Sequence, residues 1–113
     1  MYDLYNEMQQ KIKDLNVSIK KLRETGTEYA EAERDYKITL RQEALKLRAD
    51  DKMPVTLIQQ VVYGVQTVAD KRFKRDVKEA IYKANQEAIN TLKLQIRVIE
   101  SQLSREWNNN NDM

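Results

Sequence analysis

Two sets of charged side chains recur at helical spacing, and any chemistry would have to sit there. Glu24, Glu28, Glu31 and Asp35 are separated by four, three and four positions, which lines carboxylates along one face of a helix. A di-metal carboxylate bundle starts from such a row, but it also needs Glu-x-x-His elements on facing helices, and this sequence has no histidine. The second set is Lys71, Arg72, Lys74, Arg75 and Lys78, followed by Tyr82. Lys71, Arg75, Lys78 and Tyr82 fall on one helical face, so cations that neutralise phosphates stand beside a ring on which an exposed base can stack. Asp70, Asp76 and Glu79 interrupt that row. Lys11, Lys13, Lys20, Lys21 and Arg23 make a further basic stretch nearer the start. Each set also has a plainer reading, as a solvated face or as complementary rows on two helical arms, with Glu24 to Asp35 facing Lys74, Lys78 and Lys83.

Composition closes off most alternatives. The absence of both Cys and His removes disulfides, thiolate zinc sites, Cys or Ser-His nucleophiles and an imidazole switch. No Gly-rich phosphate loop or nucleophile–base pair is present, so the sequence predicts no catalytic residue, no cofactor and no metal site, and therefore not an enzyme. The 20 basic and 18 acidic residues leave a formal charge of +2, which does not by itself call for an anionic partner. No apolar run approaches the roughly 20 residues of a membrane span, and Met1 to Gln10 lacks the layout of a signal peptide, so a cytoplasmic location is expected.

The elements that would position these residues are helices. Two Gly, one Pro and 34% charged residues describe long surface-charged helices, an all-α fold. Leu4, Met8, Ile12, Leu15, Ile19 and Leu22 mark one stripe, and Tyr29, Tyr36, Leu40, Ala44 and Leu47 continue it, predicting a helix over about 2–49 with Gly26 as a possible kink at 25–27. Pro54 ends it. Thr56 and Gln59 have capping-box spacing and open a short helix over about 56–63 that Gly64 can stop. Phe73, Val77, Ile81, Ala84, Ala88, Leu92, Ile96, Ile99 and Leu103 then trace an apolar seam along a last helix over about 65–107, leaving 108–113 as a disordered polar tail.

Two long arms of nearly equal length joined by a short tip predict one domain, 1–107, folded as a long antiparallel hairpin. Folding about the tip sets Leu22 level with Leu92, Leu15 with Ile99, Met8 with Trp107, and Tyr36 with Glu79 and Ala80. A second set of apolar residues, Val17, Ile38, Leu45, Leu94 and Val98, falls on the far sides of the arms, with Val17 and Val98 at one height. Burying such a stripe is worth roughly 25 cal/mol per Å², which favours a homo-oligomer, two or more hairpins forming a helical bundle.

The chain resembles a group of small uncharacterised all-helical proteins encoded by phages and prophages of Gram-positive bacteria. The likeness rests on Leu22 to Tyr36 (LRETGTEYAEAERDY), Met53-Pro54-Val55-Thr56, Arg72-Phe73-Lys74-Arg75-Asp76, and Leu92 to Trp107 with its ending Ser104-Arg105-Glu106-Trp107. It departs from the group at Tyr63, where a basic residue is expected before Gly64. The resemblance implies a gene in an early replication and recombination region. It therefore implies an accessory or modulator of DNA replication or recombination that binds an unidentified phage or host protein. Direct nucleic-acid binding through residues 71–78 and Tyr82 is the second expectation, and a structural scaffold or virion component the third.

Overall fold

The computed structural model describes residues 2–111, and every regular element among them is helical. Helix α1 spans Tyr2–Ala49, α2 spans Val55–Val61, a 3-10 turn follows over Val62–Gly64, and α3 spans Gln66–Asn111. Among the described residues no helix is long and apolar enough to cross a membrane. α1 is unbroken through Thr25-Gly26-Thr27. α3 runs to Asn111, past the expected stop at Trp107, because extending an existing helix fixes only one residue per hydrogen bond and weak formers can follow. Asp112 and Met113 lie outside the described residues.

The chain divides into two compact units, one formed by the residues up to Glu24 and from Lys83, the other running Thr25–Tyr82. In each, a stretch of α1 pairs antiparallel with a stretch of α3. The inward positions follow a strict repeat of three and four. On α1 these are Leu4, Met8, Lys11, Leu15, Ser18 and Leu22 in the first unit, and Thr25, Tyr29, Ala32 and Tyr36 in the second. On α3 they are Asn85, Ile89, Leu92, Ile96, Ile99 and Leu103 in the first, and Val68, Lys71, Arg75, Lys78 and Tyr82 in the second. This is the seven-residue pattern by which paired helices keep one face in contact.

The pattern overturns half of the seam expected for α3. Leu92, Ile96, Ile99 and Leu103 do face inward, but Phe73, Val77, Ile81, Ala84 and Ala88 are exposed. Steps of four, four, three, four and four advance faster than a seven-residue repeat, so an apolar row chosen by hydrophobicity alone slides from the outer face to the inner one.

Register also differs from the expected fold-over. In the second unit Tyr29 meets Tyr82 and Arg75 lies over Tyr36, so Tyr36 is level with Arg75 and not with Glu79 and Ala80. In the first, Asn85 Nδ2 donates to the Ser18 carbonyl at 2.9 Å. That bond places Val17 well away from Val98, which lines a groove with Glu7 and Lys11 instead. The cause is at the tip. Tyr36, Ile58, Val62 and Val68 form a buried cluster, and Leu40, Ala44, Leu47, Met53 and Val65 pack on it. The last turns of α1 are thus covered by the tip segment, and the midpoint of the chain is not the midpoint of the pairing.

Two turns shape that tip. Lys52 takes a positive φ of 52°, Met53 N–H closes on the Leu47 carbonyl at 3.1 Å, and Arg48 Nη1 donates to the Met53 carbonyl at 3.0 Å. α2 is opened by the Pro54 carbonyl, which accepts from the N–H groups of Leu57 and Ile58, both at 3.0 Å. That replaces the capping box expected at Thr56, which falls inside the first turn, and the N-cap makes no side-chain hydrogen bond. Gly64 adopts no left-handed conformation; the chain turns through Val65 in extended geometry.

Ile58 is buried in the tip cluster while its neighbour Leu57 faces solvent. Ile58→Ala is expected to destabilise the fold by about 2–4 kcal/mol in urea unfolding and Leu57→Ala by less than about 1 kcal/mol; equal losses would contradict this packing.

Candidate functional site

The basic face of α3 belongs to the second unit, and the seven-residue phase turns most of it inward. Lys71, Arg75, Lys78 and Tyr82 are half-buried against α1, whereas Arg72 and Lys74 point to solvent. Phase is dictated from both sides: Val68 is held in the tip cluster and Ile89 is buried further along α3, and the step of 21 positions from one to the other is three whole repeats. The five side chains at intervening inner positions, Lys71, Arg75, Lys78, Tyr82 and Asn85, must therefore face α1 whatever their polarity.

Arg75, Lys78 and Tyr82 find partners suited to their chemistry. Lys78 Nζ donates to Glu28 Oε2 at 3.0 Å. The Arg75 guanidinium lies 4.7 Å from the centre of the Tyr36 ring and donates from Nε to Asp76 Oδ1 at 2.9 Å. Partial burial works to lower the Arg75 pKa, but the hydrogen bond and charge of Asp76, with Tyr36 and Glu79, outweigh it, so the net shift is upward and the group stays charged. Tyr82 stacks at 5.9 Å and a tilt of 31° on Tyr29. Its ring also rests on the backbone at Gly26, where an added Cβ would come within 3.1 Å of Tyr82 Cε1. Gly26 thus permits a close approach of ring to helix and does not break the helix. Arg72 sits 5.7 Å from the centre of the Tyr63 ring.

The carboxylate row lies on the same side. Glu28, Glu31 and Asp35 line a small cleft with Lys74 and Lys78, a mixed-charge surface. Among the described residues no group of three or more carboxylates is placed to hold a metal ion. The expected pairing of the two rows is realised at Glu28 and Lys78, while Asp35 is engaged at 3.2 Å by Arg34.

The apolar surface is larger than expected. Val17, Ile38, Leu45, Leu94 and Val98, the candidates for self-association, are all exposed, as Phe73, Val77 and Ile81 are. At the open end Tyr2, Tyr5, Leu103 and Trp107 line a shallow aromatic groove. At the tip, Ile58 and Val62 plug the core, but Val55, Leu57, Val61 and Tyr63 face water. The sequence carried a signal for this tip surface: Met53 to Ala69 contains no charged residue, in a chain that is 34% charged. No family model, curated protein or solved structure matches the chain.

Two double-mutant cycles test this geometry. Glu28→Gln with Lys78→Gln is expected to show a coupling of about 0.2–1 kcal/mol that shrinks in 1 M salt. Gly26→Ala is expected to stabilise by about 1 kcal/mol in a Tyr82→Ala background, through helix propensity, and by clearly less when Tyr82 is present. Additive effects would place the ring elsewhere.

Proposed function

We propose that this chain is a non-enzymatic interaction protein of the phage-encoded kind it resembles. It works in the host cytoplasm as a homo-oligomer and docks a phage or host protein engaged in DNA replication or recombination. The observation that carries the docking role is the charge-free tip, where Val55, Leu57, Val61 and Tyr63 are exposed together on a surface held rigid by Ile58 and Val62. A surface of that kind suits an apolar protein partner, with Arg72 over the Tyr63 ring as the cation at its border. The basic face supports nucleic-acid binding less well. Arg75 is stacked on Tyr36 and Lys78 is paired with Glu28, so a nucleic acid would have to separate them from α1.

The test sets the two classes of partner against each other. The full chain, used as bait in extract from infected or lysogenic cells, is expected to retain one partner in high salt, because apolar contacts are not screened. Leu57→Glu with Val61→Glu should lose it while keeping helicity. If the chain instead binds single-stranded or duplex DNA with an affinity that falls steeply as salt rises, and Arg72→Glu with Lys74→Glu removes that binding, the protein-docking reading is wrong. Those two positions are exposed and lie off the three-and-four seam, and because Lys74 borders the cleft of Glu28, Glu31 and Asp35 the variant's helicity is checked by circular dichroism.

A further inference from the structure

Arg72 stands at the border of the tip surface, exposed, with its guanidinium 5.7 Å from the centre of the Tyr63 ring. Among the described residues no carboxylate of its own chain pairs with it. Helical spacing explains why. Of the positions three and four away on α3, Val68, Ala69 and Arg75 carry no negative charge, and Asp76 is already engaged. Asp76 Oδ1 accepts from Arg75 Nε at 2.9 Å and lies 2.9 Å from Arg75 Nη2. The attraction of the Tyr63 ring holds the Arg72 cation beside the tip while its N–H groups keep the fork geometry that a carboxylate fits. Next to it lies surface of the opposite character. Leu57 and Val61, one helical turn apart on α2, are 43% and 37% exposed, Tyr63 follows them, and Met53 to Ala69 contains no charged residue.

We infer that the partner docked at the tip presents an acidic, apolar segment: large apolar side chains that cover Leu57, Val61 and Tyr63, next to an aspartate or glutamate whose carboxylate takes the Arg72 guanidinium. This rests on the docking role proposed above and names the chemistry of its partner. Charge complementarity selects among the occupants. A second copy of the tip supplies no counter-ion, because the run from Met53 to Ala69 has no carboxylate. A basic segment sets like charge against Arg72, with Lys71 and Lys74 close by in sequence. A nucleic-acid strand can use Arg72 through a phosphate, but its charged backbone leaves the aliphatic side chains of Val55, Leu57 and Val61 without an apolar cover. An acidic, apolar peptide satisfies both halves of the surface. Apolar contact supplies the affinity, and the exposed ion pair at the border supplies the choice between one apolar partner and another.

The test uses the full chain and a displayed library of random peptides of about twelve residues, with Leu57→Glu/Val61→Glu as the counter-selection. Peptides retained by the natural chain and not by that variant are expected to combine large apolar residues with Asp or Glu. Arg72→Glu should turn the charge preference towards Lys and Arg with the apolar residues unchanged, a result that loss of folding cannot produce. For one selected peptide, Arg72→Gln should weaken binding by about two- to five-fold at low salt and by less at high salt. Selected peptides without an excess of Asp or Glu, or a preference that Arg72→Glu leaves unchanged, overturn the inference and leave the docking role standing. If no peptide distinguishes the natural chain from Leu57→Glu/Val61→Glu, both fall. A chain that dimerises in sedimentation and is dispersed by Leu57→Glu gives the tip to a second copy, and single-stranded DNA that displaces the peptide at low salt gives Arg72 to a phosphate; either overturns the inference.

Discussion

Once Val68 is locked into the tip cluster and Ile89 into the first unit's seam, α3 has no freedom to choose which face the intervening residues show. Three whole repeats separate the two anchors, so Lys71, Arg75, Lys78 and Tyr82 are carried to the inner face. Everything unusual in the second unit answers to that constraint. A cation brought near a low-dielectric seam is costly unless it is paired or keeps its charged end near water. Glu28, Asp76 and the ring of Tyr36 meet that need, and the long alkyl stems of lysine and arginine supply the apolar contact that leucine would otherwise give.

The tip is the other half of the same arrangement. α2 is only seven residues long and could not persist alone; it is held because Ile58 and Val62 complete a cluster with Tyr36 and Val68. By covering the last turns of α1, it also shifts the pairing of α1 with α3 away from the midpoint of the chain. A segment that must bury one side of a short helix and carries no charge on the other presents apolar side chains to solvent as a matter of geometry.

These constraints also decide what stays uncovered. Arg75 and Lys78 are committed to the seam, whereas the outer row of Phe73, Val77 and Ile81 and the tip residues Val55, Leu57, Val61 and Tyr63 are left as apolar surface. Asn85 belongs to the same logic: its bond to the Ser18 carbonyl is a polar contact at an inner position, the kind of device that selects one register among several that apolar residues alone would permit.

The helices themselves were legible without coordinates. Charge-rich composition, Pro54 as a stop and the three-and-four spacing of Leu92, Ile96, Ile99 and Leu103 determine an all-helical chain with two long arms and a tip, because local propensity and periodicity are properties of the chain alone. The phase of Phe73, Val77 and Ile81, the level at which Tyr36 meets α3 and the inward turn of the basic face were decided only by tertiary structure. Hydrophobicity favoured the outer row as the seam, but a helix is rigid about its own axis, and the anchoring of Val68 and Ile89 some 21 residues apart overrides the preference of any residue between them.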